Sequence, residues 1–144
     1  MTYALGRFQV SLTLTGSADV SATGNAHANV LLGNAGANHL NGGAGNDVLI
    51  WDPLDRHLDG GSGEDTLRLA GAGISLDLTQ IANNRIAGIE RIDLTGSGDN
   101  NLTLSIHDVL ALPDHAGVGR CFQNSAIAFR LIDVFIAIHH ASRQ

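Results

Sequence analysis

Residues 42–50 read GGAGNDVLI and residues 60–68 read GGSGEDTLR. Each sets three glycines and one aspartate in six residues, then closes on a triplet centred on leucine. Glycine in such numbers costs chain entropy and brings no side chain to pack, so the pattern needs a compensating gain. The nine residues between the two copies, WDPLDRHLD (51–59), keep the length without the glycines. Upstream, GNAHANVLL (24–32) and GNAGANHLN (33–41) have the same length again. The eighth residue of each unit is Leu31, Leu40, Leu49, Leu58 and Leu67, and Leu76 continues the series. Neither a helix nor an ordinary strand has a period of nine.

A solenoid does. Six residues make a turn and three make a short strand, whose middle residue points opposite to its neighbours. Leucine in the middle means that the leucines face inward. Two strands and two turns give a coil of 18 residues, and residues one coil apart stack about 4.8 Å apart. The expected class is all-β, a parallel β-roll or β-solenoid with 18-residue coils, plus a short C-terminal helical segment. One sheet then shows Val30, Leu32, Val48, Ile50, Thr66 and Arg68 outward. The other shows His39, Asn41, His57, Asp59, Ser75 and Asp77. The first face is apolar over two coils and needs a cover; the second is polar.

Composition narrows the function. The chain has 144 residues and a formal net charge of -6, and its eight basic residues are all Arg. That excludes a basic nucleic-acid surface and favours a cation as partner. Aromatics are only 4%, which suits a narrow aliphatic core. Cys121 is the single cysteine, so no intrachain disulfide forms, although an exported protein can use metal instead. The start, MTYALGRFQVSLTLTG, lacks the basic end and apolar run of a secretory signal. The most apolar stretch, 126–138, is too short to span a bilayer and contains Arg130 and Asp133.

The two glycine loops lie one coil apart, on one edge of the roll. Asp47 and Asp65 therefore stack at near contact, and a proton or a cation must relieve their repulsion. Carboxylate and main-chain carbonyl oxygens at flexible spacing suit calcium, with its 6–8 oxygen ligands, better than zinc or copper.

Both loops fit G-G-x-G-x-D-x-U-x and so resemble the calcium-binding nonapeptide of RTX (repeats-in-toxin) proteins. The resemblance implies a parallel β-roll with calcium held between successive turns, export by a type I system, and folding on reaching extracellular calcium. Carried over by position, the metal-binding residues are Gly42, Gly43, Gly45, Asp47, Gly60, Gly61, Gly63 and Asp65. The glycines and their neighbours offer carbonyls, and the aspartates offer carboxylates. The run 88–112 (GIERIDLTGSGDNNLTLSIHDVLAL), together with 12–31, resembles segments of very large bacterial RTX adhesins. The resemblance covers about 10–112, giving a β-roll with a strand-rich extension over 1–112 and a divergent tail over 113–144.

The departures limit the ion count. Loops 24–29 and 33–38 carry Asn29 and Asn38 at the aspartate position. Asparagine hydrogen-bonds nearby backbone and tolerates left-handed turns. Asn25, Asn29, Asn34 and Asn38 are thus expected to close these turns without metal, with Asn29 a neutral ligand beside Asp47 for a weaker second site. Arg56 occupies the aspartate position of the 51–56 loop, where a guanidinium replaces an ion rather than binding one. One good calcium site is expected, between 42–47 and 60–65.

Beyond Leu76 the period drifts. Strands are expected within 74–78, 85–94 and 100–106. TGSGDNNLT (95–103) is a degenerate nonapeptide with Asn100 at the aspartate position. Helices are expected at 107–112 and 125–138. The tail is open to three readings: a cover for the apolar sheet, a C-terminal export signal, or the remnant of a longer adhesin.

No catalytic centre is expected. The GSG at 61–63 and at 96–98 is not the G-x-S-x-G elbow, and Cys121 has no evident partner. His39 and His57 lie one coil apart on the polar face, where a shared transition metal competes with plain surface histidines. The leading expectation is a secreted or cell-surface calcium-binding adhesin segment with neighbouring repeats or a surface ligand as partners. The alternatives are the roll of an exported RTX protease or lipase, and a calcium-independent solenoid.

Overall fold

The computed structural model describes residues 1–103, apart from Asn83 and Ser97. The helices expected at 107–112 and 125–138 lie outside the described residues, as do Cys121 and the 113–144 tail.

The described chain is a parallel solenoid of twelve short strands. One sheet stacks β1 (Thr2–Ala4), β3 (Ser21–Thr23), β5 (His39–Ala44), β7 (His57–Ser62) and β10 (Ile86–Ala87). The facing sheet stacks β2 (Ser11–Thr13), β4 (Val30–Leu32), β6 (Val48–Ile50), β8 (Thr66–Arg68) and β11 (Arg91–Asp93). Successive strands alternate between the sheets, so each pair of neighbours in a sheet is joined by one full coil. The registers Leu40↔Leu58 and Leu49↔Leu67 are parallel and 18 residues apart, as the nonapeptide demands. The first coil is one residue longer, with Leu12 against Leu31.

Leu31, Leu40, Leu49, Leu58 and Leu67 have no exposed surface and fill the space between the sheets. The outward residues follow the alternation: Val30 and Leu32 are exposed, while Val48 and Ile50 are half-buried beside them.

After β8 the architecture changes. β9 (Ser75–Asp77) does not extend the sheet of β7; it pairs with β12 (Asn101–Thr103) in a third, two-stranded wall. Leu76 is buried, but it stacks on Leu102 rather than on Leu58. The expectation that Leu76, Ser75 and Asp77 continue the two-sided series is therefore corrected. The next partner of Leu58 is Ile86, and that of Leu67 is Ile92. The coil has become three-sided.

A local reason is visible. The loop 69–74 (LAGAGI) places Ile74 at the sixth position, which has no polar atom to close the turn. Leu69 buries itself at the new corner. Asn100, one wide coil later, supplies the missing bonds: its Oδ1 accepts from Ile74 N at 2.9 Å, and its Nδ2 donates to the carbonyls of Leu69 and Gly71.

Leu40→Ala should cost about 2–5 kcal/mol, because neighbouring leucines above and below cannot close the void. Leu32→Ala, on the outer face, should stay within about 1 kcal/mol of the parent. Urea denaturation in saturating calcium checks the difference; equal losses would contradict the inward leucine ladder.

Candidate metal centre

The two glycine loops meet as their spacing requires. β5 and β7 run on into the loops, so Gly43 pairs with Gly61 and Ala44 with Ser62. Gly43, Gly45, Gly61 and Gly63 have φ of 101, 105, 95 and 141°, a region that side chains other than glycine avoid. Gly42 and Gly60 are buried on the inner side of the same edge. A methyl on Gly42 would strike both Asp47 Oδ2 and the Gly60 carbonyl oxygen. A methyl on Gly60 would strike Asp65 and the Gly88 carbonyl. The aspartate side chains therefore point into the roll, beside a column of main-chain carbonyls.

Asp47 and Asp65 are almost completely buried. One oxygen of each is satisfied from the preceding coil: Asp47 Oδ1 accepts from Asn29 N, and Asp65 Oδ1 from Asp47 N, both at 2.7 Å. The other oxygen of each, Oδ2, is buried with no hydrogen-bond donor. Burial pushes the Asp65 carboxyl up to about 6; the Asp47 N–H opposes this, and the charges of Asp47, Glu90 and Asp59 add to it. Burial likewise raises Asp47, against the pull of the Asn29 N–H. A buried anionic oxygen without a donor is costly, and here there are two, one coil apart.

The asparagine loops solve the same problem differently. Asn29 Oδ1 accepts from Asn25 N at 2.8 Å, and Asn38 Oδ1 from Asn34 N at 2.7 Å, so each loop closes on itself. The second-position amides then bridge to the coil before. Asn25 Nδ2 donates to the carbonyls of Gly6 and Gln9 at 2.8 and 2.7 Å. Asn34 Nδ2 donates to Thr15 and Ala18 at 3.0 and 3.1 Å. The glycine loops hold Gly43 and Gly61 at that second position. A side chain begun there would point at the carbonyls of Asn25 and Gly43 respectively. Where the asparagine loops place an amide donor between coils, the glycine loops bring backbone against backbone, with Ala44 N donating to the Asn25 carbonyl at 3.1 Å and Gly45 N to the Ser62 carbonyl at 2.9 Å.

Hard cations fit such a setting: oxygen atoms only, two carboxylates, and backbone that the glycines let approach closely. No three acidic, histidine or cysteine side chains converge among the described residues, so carbonyls must supply much of any ion's shell.

Residues 23–50 match the RTX calcium-binding nonapeptide repeat, in four copies. The chain carries RTX repeats. The matched RTX segment spans both asparagine loops and the first glycine loop, and it ends before the second glycine loop at 60–65. No curated protein and no solved structure matches the chain.

Two site features escaped the sequence. Glu90, from the three-sided coil, extends the RTX edge: its Oε2 accepts from Asp65 N at 2.8 Å. Its loop is too short to read as a repeat, so only the acidic side chain beside Gly88 signals it. On the opposite edge the buried residue is Asp55, not Arg56. Asp55 has no exposed surface; its Oδ1 accepts from Asn38 N at 3.1 Å, and its Oδ2 has no partner. Arg56 turns outward to Asp19, at 2.9 Å. The register slips because Asp52 tightens the turn, accepting from Leu54 N on its side chain and from Asp55 N on its carbonyl. The guanidinium expected on that edge is supplied instead by Arg85, which donates to the carbonyls of Asp55 and Pro53 and lies over the Trp51 ring.

Burial pushes Asp55 up to about 6 from an ordinary 3.8. Between those values the folded chain binds more protons than the unfolded one, so this group's contribution falls as pH rises. Asp55→Asn should remove this group's share of the slope. Its stability relative to the parent should improve by about 1–3 kcal/mol from pH 4 to pH 7. Denaturation curves across that range test this, and a difference that does not change with pH would contradict it.

Proposed function

We propose that this chain is a calcium-operated β-roll module, in which one ion held between loops 42–47 and 60–65 decides whether that part of the roll folds. The supporting observation is the pair of buried, donorless Oδ2 atoms of Asp47 and Asp65 beside stacked glycine carbonyls. The assigned residues are Gly42, Gly43, Gly45, Asp47, Gly60, Gly61, Gly63 and Asp65. Calcium supplies positive charge there and draws the two coils together. Without it, two carboxylates repel in a poorly solvated turn and the glycine backbone has no side chain to hold it. Binding to the folded state alone then adds folding free energy.

An affinity in the range of extracellular modules, about 10⁻⁴–10⁻³ M, suits a protein that stays unfolded during type I export and folds outside the cell. The module serves as a structural segment of an RTX adhesin, with its roll (1–112) joined to neighbouring repeats. A second reading, a metal-independent solenoid, is favoured by one observation: the asparagine loops already close by hydrogen bonds within the loop and to the coil before. The two readings divide the molecule, with 24–38 closing on amides and 42–65 on an ion.

Calcium titration followed by far-UV circular dichroism should show β-structure gained with a midpoint near 10⁻⁴–10⁻³ M. Asp47→Asn and Asp65→Asn should each raise the midpoint at least tenfold. Magnesium should substitute poorly, since it demands a tighter octahedron. A soluble chain with no spectral change and no calcium heat would sink the proposal.

The loop chemistry also gives a positive test. Changing Asp47→Asn and Asp65→Asn together, with Gly43 and Gly61 kept because a Cβ there would strike backbone carbonyls, should yield a roll whose melting temperature no longer responds to calcium. Persistent calcium dependence would mean that the ion binds elsewhere.

A further inference from the structure

β5 and β7 place His39 and His57 directly side by side in parallel register. Both rings stand on the outer face of the sheet, away from Asp47 and Asp65, which point into the roll. Their centroids are 6.1 Å apart and the planes are tilted by 46°. His57 Nδ1 lies 2.8 Å from the Asn84 carbonyl oxygen. A carbonyl can only accept, so Nδ1 carries the proton. In the neutral ring the lone pair is therefore on Nε2. A carbonyl fixing one ring nitrogen so that the other can ligate is the usual outer-shell arrangement of metal-binding histidines.

We propose that His39 and His57 form a two-histidine site for a borderline transition-metal ion such as zinc, nickel or copper, chemically separate from the oxygen-lined glycine edge. Imidazole nitrogen suits these ions, whereas calcium takes oxygen. An ion at about 2.0–2.1 Å from each nitrogen fits between rings at this separation. His39 is exposed, so its ring can turn toward His57 Nε2. The backbone supplies the pre-organisation: the two Cα atoms are locked by a parallel ladder that continues through Leu40↔Leu58 and Asn41↔Asp59. Among the described residues no third acidic, histidine or cysteine side chain completes the set. Water fills the remaining positions, which makes the site open, as in zinc centres that accept an outside ligand.

The test uses the full chain in saturating calcium, with copper or zinc titrated calorimetrically into the parent, His39→Gln and His57→Gln. Five other histidines and Cys121 remain in every variant, so the difference isolates the pair. The parent should bind one equivalent more than either variant, and copper should bind more tightly than zinc. The copper spectrum in electron paramagnetic resonance should show coupling to two nitrogens in the parent and lose it in His39→Gln. That exposed substitution should leave the calcium-dependent circular dichroism unchanged, so misfolding is separable from loss of a ligand. Equal stoichiometry in all three chains would overturn the proposal. Loss confined to His57→Gln would also overturn it, because the site would then be a single histidine.

Discussion

Every coil of the repeat region has to cross six residues of turn without leaving buried backbone unpaired. One interaction does this: a side-chain oxygen near the end of the turn accepts a main-chain N–H, at the sixth position in the asparagine and glycine loops and at the fifth in 51–56. Asn29 and Asn38 take it from their own loops, Asp47 and Asp65 from the coil before, and Glu90 continues the column. The strands are only three residues long over much of the roll, so their ladders could not hold the turns alone. The leucine stack, the parallel register and the inward glycines all depend on this column being in place.

The choice between asparagine and aspartate within that column sets the chemistry of the edge. An asparagine brings one acceptor and one donor, and both are used: Asn29 Nδ2 turns to Asn25 Oδ1, and Asn38 Nδ2 to Asn34 Oδ1. The loop is neutral and complete. An aspartate brings two acceptors and a charge, and only one acceptor is used. Replacing the second-position asparagine by glycine also deletes the amide that bridges to the coil before. The two changes occur together in 42–47 and in 60–65, so these loops gain a buried carboxylate oxygen with no donor and lose the amide bridge.

The legible parts of this arrangement were those with a short period. Leucine every ninth residue reports the two-sided coil, and glycine loops of matching pattern one coil apart report the shared edge, because both follow from local spacing. The third wall was hidden because Leu76 keeps the nonapeptide phase while its strand pairs with β12, a partner 26 residues on at Leu102. What decides that pairing is Ile74, a missing acceptor, and Asn100, its distant replacement. Asp55 was hidden by a single-residue slip that Asp52 imposes on the turn. Glu90 was hidden because its loop is shorter than the repeat, and a longer side chain makes up the reach.

Asp55 also shows why a buried carboxylate does not by itself mark an ion site. It has the same donorless Oδ2 as Asp47 and Asp65. Its surroundings differ. It stacks on Asn38 rather than on another acid, and Arg85 brings a guanidinium to the same loop, tied to the carbonyls of Pro53 and Asp55. Burial and the Asp52 charge push the Asp55 carboxyl up to about 6 with Arg85 opposing them, whereas the charges acting on Asp65 are all acidic, from Asp47, Glu90 and Asp59. One edge thus has a cation from its own chain nearby, Arg85 in the turn just before β10. The other edge accumulates negative charge from Asp47, Asp65, Glu90 and Asp59. The asparagine-closed coils hold the register on which that acidic edge is built.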